Sequence, residues 1–403
     1  MRIDNVEVLN LHFEYPGRCG YRYAGGLVTS RVTSIIRVTT DTGLIGWGAS
    51  YAYPDLVRII IENHLKRHLL GEDPRDIERL WDRMYELTRW YGRKGVAISA
   101  LGGIDIALWD LKGKAEGKPV YELLGGTKQS VPAYASGLFW EDDVHKLETE
   151  AASHLEHGFI RVKTRLGHSE EYDREAVRAI RRGLGPTGEM MVDGSHRYQL
   201  DAAVKMARVL EDERAVWFEE PFPPEELDLF VELRKRIQVP LAAGENEFGV
   251  QGFRELLRAG ALDIVQPDVC RSGGITECRR IAQMACDHGL RVGTHTWSDA
   301  IALVANAHLV AAIPNGLTVE MDQTGNPFIE DLLTEPLTVK EGRLQLSGKP
   351  GLGIEVCEES LAHLLLPRDQ WIPDGNYSDL IFGKEHFGIS NVSIQSKRWG
   401  ERQ

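Results

Sequence analysis

Seven charged or titratable residues recur along the middle of this chain at nearly constant spacing. They are Lys163, Asp193, Glu219, Glu245, Asp268, His295 and Glu320, each 23–30 residues after the one before. Asp193, Glu219 and Glu245 are three acids in succession. Brought together without partners, they would repel and raise one another's pKa. A hard divalent cation removes that cost, and an all-oxygen donor set favours Mg2+, with Mn2+ also admitted. Asp268 and His295 follow. A carboxylate bonded to one imidazole nitrogen fixes the tautomer and leaves the other nitrogen as a general base. Taken singly, each acid reads equally well as a helix cap or an ion-pair partner, and the histidine as structural. The common register of all seven is what points to a site.

The elements that must position them form a repeat. Strand candidates are "VPAYASG" (131–137), "FIRVKTR" (159–165), "EMMVD" (189–193), "AVWFE" (215–219), "PLAAGE" (240–245), "DIVQPD" (263–268), "RVGTH" (291–295) and "LTVE" (317–320). Amphipathic stretches such as 173–184 and 200–212 separate them. Repeated βα units imply parallel strands, and eight in succession imply a closed barrel. Residues at the C-terminal ends of barrel strands meet at one mouth, and the seven polar residues lie there. An open doubly wound sheet is the alternative, but no G-x-G-x-x-G follows a first strand. In "FIRVKTR", alternation puts Arg161, Lys163 and Arg165 on one face, and these cations are expected to face the mouth. Residues 1–50 read as strands, with a hairpin at "TDTG", and 55–125 as helices. Residues 331–403 are mixed. The tail 369–403 is expected to pack back on the N-terminal region or wrap a neighbouring subunit.

Bulk properties narrow the class. The 403 residues exceed one small core, and 42% hydrophobic with 27% charged residues is ordinary for a globular chain. No apolar run reaches the ~20 residues of a membrane helix, and the N-terminus lacks a signal-peptide core. A net charge of −13 argues against nucleic-acid binding, and an acidic substrate would need a locally positive site. The five cysteines (Cys19, Cys270, Cys278, Cys286, Cys357) include no C-x-x-C pair. Free thiols in a reducing cytoplasm are expected.

The motifs "VKTR", "VDGSH", "FEEP", "GEN", "QPDVCRSGGIT", "GTH" and "VEMD", in this order, resemble the mandelate racemase branch of the enolase superfamily. "TDTGLIGWG" and "GIDIALWDLKGKAEGKPVYELLGG" do so too, and the likeness spans roughly residues 1–355. The resemblance implies an α+β capping domain built from both chain ends over a modified (β/α)7β TIM-like barrel. Its expected boundaries are 1–127 for the cap, 128–330 for the barrel and 331–403 for the returning segment. It implies Mg2+ on Asp193, Glu219 and Glu245, a base dyad of Asp268 and His295, and Glu320 as a protonated hydrogen-bonding electrophile. The shared step is abstraction of the proton α to a carboxylate, with an enediolate as product. It also implies an assembly of identical subunits acting on a small carboxylate.

One departure selects the reaction. Relatives with bases on both faces carry Lys-x-Lys where this chain has Lys163 and Arg165. Arginine is a fixed cation and a poor proton acceptor. Lys163 remains a possible base, its pKa lowered by Arg165 and the metal. Racemisation needs acid–base groups on both faces, whereas β-elimination runs from one. The expectation is therefore an acid-sugar dehydratase, with a racemase, epimerase or cycloisomerase as the alternative and a non-catalytic relative as the third. Ser195 and His196 are candidates for substrate hydroxyls, and Asn246 for support of the metal site. The loop 15–26 is expected to be a lid, with Tyr21, Arg22 and Tyr23 reading the distal substrate end. Trp297 is a candidate pocket wall.

Overall fold

The structure is a computed structural model that describes residues 1–372. The chain begins with β1 (Ile3–Glu14) and a short hairpin of β2 (Tyr21–Tyr23) and β3 (Gly26–Val28). Next come β4 (Ser30–Thr40) and β5 (Ile45–Ser50), which form an antiparallel sheet in the order β1-β4-β5. The "TDTG" turn joins β4 to β5, with Thr39 opposite Ile45. Four α-helices follow: α1 (Pro54–Arg58), which runs on into a π-helical turn, α2 (Ile77–Thr88), α3 (Val96–Glu116) and α4 (Val120–Leu123).

α3 is buried almost all round, as a helix apolar on every face must be. It lies between the antiparallel sheet and the barrel. Gly102 permits the second contact: a Cβ there would lie 2.7 Å from the Gly274 nitrogen and 2.9 Å from the Val269 oxygen. Asp105, one turn on, accepts hydrogen bonds from the Thr276 backbone N–H (2.9 Å) and hydroxyl (2.6 Å). This joint sits beside the loop that carries Asp268.

The barrel strands are β6 (Ser130–Ser136), β7 (Arg161–Arg165), β8 (Glu189–Asp193), β9 (Trp217–Glu219), β10 (Leu241–Ala243), β11 (Ile264–Val265), β12 (Arg291–Thr294) and β13 (Gly316–Asp322). They are parallel in sequence order, and β13 pairs back onto β6 through Val319–Ala133 to Asp322–Ser136, which closes the barrel. Helices α5 (His145–Glu156), α6 (Glu170–Leu184), α7 (Leu200–Asp212), α8 (Leu227–Arg234), α9 (Gly249–Ala259), α10 (Gly274–Asp287) and α11 (Ala300–Ala312) fill the seven intervals. All eight sequence-predicted strands are present, several of them shorter than their apolar runs. Tyr134, Met191, Trp217, Ala242 and Ile264 form a separate apolar cluster inside the barrel.

After β13 the chain returns. β14 (Val339–Lys340) pairs with β15 (Arg343–Gln345), which adds antiparallel to the start of β6. Leu366 N–H then donates to the Asn10 carbonyl at 2.9 Å, and Ile372 N–H to Asp55 Oδ2 at 2.9 Å. The residues after β13 thus reach the first sheet. The remainder of the tail lies outside the described residues. No helix among the described residues is long and apolar enough to cross a membrane.

Candidate active site

Strand register brings the acids to one rim. Arg165 pairs with Asp193, Asp193 with Glu219, and Glu219 with Ala242, three residues before Glu245. Two of the three carboxylates are oriented by a donor. Ser195 N–H reaches Asp193 Oδ1 at 2.6 Å, and Trp217 Nε1 reaches Glu219 Oε2 at 2.8 Å. Burial, with Asp193, Glu245 and Glu320 nearby, pushes Glu219 up to about 8 against the pull of Lys163. This is the crowding that the spacing implied. No three such donors among the described residues stand together at metal-holding distance. The chemistry of the donor set, three hard oxygen ligands with an excess of negative charge, fits a hard divalent cation.

Lys163 occupies the floor. It is fully buried and ion-paired to Glu219 Oε1 at 2.6 Å and to Glu320 Oε1 at 2.8 Å. Burial disfavours its charge, but Glu219 and Glu320 outweigh that and hold it well above the ordinary lysine range. This differs from the expected lowering, because the two carboxylates lie closer than the sequence indicated. Glu320 differs as well. Burial favours its neutral form, yet Lys163, His295 and Arg165 keep it ionised. It accepts from Ser136 Oγ (2.6 Å) and Thr296 N–H (3.1 Å) and is not a protonated donor.

Arg165 reaches higher. Its guanidinium lies 3.4 Å from Asp193 and 3.6 Å from Glu320, and donates to Ser136 Oγ at 3.1 Å. It stacks 4.3 Å over Trp297 and 4.9 Å from the Phe139 ring centre. Arg161, the third cation of the strand, sits at the opposite end. It pairs with Glu189 at 2.5 Å and does not face the mouth.

Asp268 and His295 form the expected dyad. Nδ1 lies 2.8 Å from Asp268 Oδ2, and Asp268 Oδ1 is itself held by Cys270 N–H (2.9 Å) and Asn306 Nδ2 (3.2 Å). The other ring nitrogen, Nε2, lies 3.7 Å from Glu245 and 3.9 Å from Glu320. Burial opposes protonation of the imidazole, but Glu245, the bonded Asp268 and Glu320 raise it to about 9. Tyr51, the residue after β5, stacks on the ring at 6.1 Å.

Above these groups lies a cavity of about 490 Å³. Its walls include Arg165, Asp193, Ser195, His196, Glu245, Asn246, His295 and Trp297, together with Tyr21 and Tyr23 of the β2–β3 hairpin. Lys163 is not among them. Arg22 points away: it pairs with Asp142 at 2.6 Å outside the cavity. Tyr21 instead accepts from Arg31 Nη1 (2.7 Å) and Trp297 Nε1 (3.2 Å), which pins the hairpin to the barrel. His196 is bonded to Glu220, which also accepts from Asn246 Nδ2 at 2.7 Å. Asn246 in turn accepts from Arg271 at 3.0 Å. Sequence reasoning missed Ser136, Phe139, Arg197, Arg271 and Tyr51. Ser136 ends the first barrel strand, one repeat before Lys163, so the spacing that found the other seven residues would have found it too.

Comparison with known proteins gives a consistent picture. Residues 10–125 match the family described as the N-terminal domain of mandelate racemase / muconate lactonizing enzyme, and residues 146–360 the family described as enolase C-terminal domain-like. D-galactarolactone cycloisomerase of Agrobacterium fabrum is 35% identical over 349 residues, covering 84% of this chain and 92% of that protein. Arabinonate dehydratase of Saccharolobus solfataricus is 38% identical over 324 residues, covering 79% and 87%. A racemase from Streptomyces coelicolor, solved with bound magnesium, superposes with a TM-score of 0.83 at 29% identity, covering 91% of this chain and 100% of that one.

Proposed function

The chain belongs to the mandelate racemase/muconate lactonizing enzyme family of the enolase superfamily, and from that premise we propose that it is a Mg2+-dependent acid-sugar dehydratase. It removes water from an aldonate or aldarate to give a 2-keto-3-deoxy acid. One observation carries the choice of reaction. The cavity presents an Asp-oriented imidazole base, His295, and a guanidinium, Arg165, while the lysine that would serve a second face is buried under two ion pairs.

Asp193, Glu219 and Glu245 would hold Mg2+, which supplies positive charge where the substrate carboxylate gains its second negative charge. In the neutral form of its ring, His295 Nε2 takes the α-proton. Asp268 on Nδ1 holds the ring in the required tautomer and steadies the imidazolium. That imidazolium returns its proton to the departing β-hydroxyl, the C–O bond breaks and water leaves. The enol that remains tautomerises to the keto acid. Arg165, held between aromatic faces, stays cationic and pairs with the substrate carboxylate. Glu320 anchors Lys163 and Arg165. Ser195 and His196 contact hydroxyls. In this reading, residues 1–127 with the returning segment cap the site, and 128–330 form the catalytic barrel.

Cycloisomerisation is the second reading, because the same one-base chemistry opens an anhydro or lactone ring and a relative of that name matches most of the chain. The test is a panel of mono- and diacid sugars with and without Mg2+, read by keto-acid formation and product mass. Keto acid with loss of one water mass supports the dehydratase, and keto acid of unchanged mass formed from an added lactone or anhydro acid supports the cycloisomerase. Deuterium entering the α-carbon from solvent without loss of water supports a racemase or epimerase. Absence of keto acid across the panel with Mg2+ present overturns the dehydratase reading.

A further inference from the structure

Arg197 plays no part in the chemistry above, yet it lines the same cavity. Its backbone N–H donates to Gly194 at 3.0 Å, at the end of the turn that follows β8. Its stem runs against Gly167, where φ is +93° and a Cβ would lie 2.8 Å from the Arg197 Cβ and 2.9 Å from its Cγ. Any larger residue at 167 would displace that stem. The guanidinium reaches the lid end of the cavity, where Nη2 donates to the Ala24 carbonyl of the β2–β3 turn.

The three cavity arginines differ in what balances them. Arg165 has Asp193 and Glu320 within ion-pair distance. Arg271 is held by Asn246 and lies over the Tyr51 ring at 5.1 Å. Arg197 has no carboxylate partner among the described residues. Burial is the largest influence on it and lowers its pKa, and Tyr23 is its one charged influence in the other direction. A partly buried guanidinium costs desolvation that a lone carbonyl does not repay. It does favour a carboxylate, which accepts two parallel N–H bonds.

We propose that Arg197 binds a second carboxylate, at the substrate end remote from the reacting carbons, so that the enzyme prefers dicarboxylic acid sugars to monocarboxylic ones. This rests on the dehydratase reading only for the identity of the reacting end. A terminal hydroxymethyl group would fill the same space without neutralising the charge. Because the same guanidinium holds the lid turn, diacid binding and lid closure strengthen each other.

The experiment separates binding from turnover. His295→Asn enzyme with Mg2+ is titrated with six-carbon aldarates and with aldonates of matching configuration, and binding is followed calorimetrically. The diacid is expected to bind about 10–100-fold tighter, the range of one charge-assisted hydrogen-bonded pair. Arg197→Met, which keeps the stem but not the charge, should abolish that preference, with Arg197→Lys intermediate. In the active enzyme the same loss should appear as a rise in KM for the diacid that exceeds any rise for the monoacid by the factor lost in binding. Equal binding of both classes, or equal weakening of both by Arg197→Met, overturns the proposal and leaves Arg197 as a lid contact. Diacid preference without keto acid would sink the dehydratase reading instead. Turnover of monoacids alone would sink the preference and keep the reaction.

Discussion

At the residue scale, two neighbouring groups that both resembled bases are distinguished by their partners. His295 is aimed into the cavity with Asp268 behind it, whereas Lys163 is locked between two carboxylates. His295→Asn should therefore lower kcat about 10²–10⁴-fold while urea denaturation shows little change. A loss below tenfold would exclude it as the base. Lys163→Ala should behave in the opposite way, with a large structural cost. It leaves Glu219 and Glu320 buried without their cation, a loss of about 3–5 kcal/mol in urea denaturation without metal. Added Mg2+ should recover part of that, because a divalent cation offsets the same crowding. A variant as stable as wild type would mean the ion pairs contribute little. The acids and the dyad were legible in the sequence because each sits at or within three residues after a strand's C-terminal end, at the common period. The ionised state of Glu320 was not legible. It depends on Lys163 and Arg165 of β7 and His295 at the end of β12 converging on it, which no local pattern encodes.

At the element scale, strand positions were legible and strand lengths were not. "DIVQPD" reads as six residues, yet β11 pairs over Ile264 and Val265 alone. Beyond them the backbone leaves the ladder so that Asp268 can meet His295. The apolar run reports burial, and burial continues where pairing stops. The joint between α3 and the start of α10 was equally illegible, since Gly102 looks like one more small residue in a helix. Its close approach to the Gly274 nitrogen and the Val269 oxygen gives it a specific role. Gly102→Ala drives a methyl into backbone that cannot rotate away, and should cost about 1–3 kcal/mol by urea denaturation. Because Val269 adjoins Asp268, kcat should fall as well, with KM less affected. An unchanged midpoint would show that the joint has slack. At the β2–β3 hairpin, the Arg22–Asp142 pair is exposed to solvent, so Asp142→Ala should raise KM no more than about fivefold.

At the scale of the whole molecule, the first sheet, the barrel and the returning chain must be held in one arrangement, and His308 in α11 ties three parts together. It is fully buried; Nδ1 accepts from the Tyr121 N–H of α4 at 3.0 Å, and Nε2 donates to the Leu352 carbonyl at 3.0 Å. Both bonds require the neutral ring. Burial lowers its pKa to about 4 from 6.5, against a small opposing effect of the Leu352 carbonyl. Between those values the unfolded chain takes up a proton that the folded chain refuses. Stability from this group is therefore complete above pH 6.5 and is lost as pH falls toward 4. Buried carboxyls act in the other direction. Asp105, raised to about 7 chiefly by burial, makes the folded state the stronger proton binder over part of the same range. The wild-type profile alone mixes these effects, and a difference isolates one of them. The stability advantage of wild type over His308→Gln, measured by urea denaturation, should shrink by about 2 kcal/mol between pH 8 and pH 5. A constant difference would mean that the ring takes up its proton in the fold as readily as in the unfolded chain, and the two bonds through which it joins α4 and the returning chain would then need a different account.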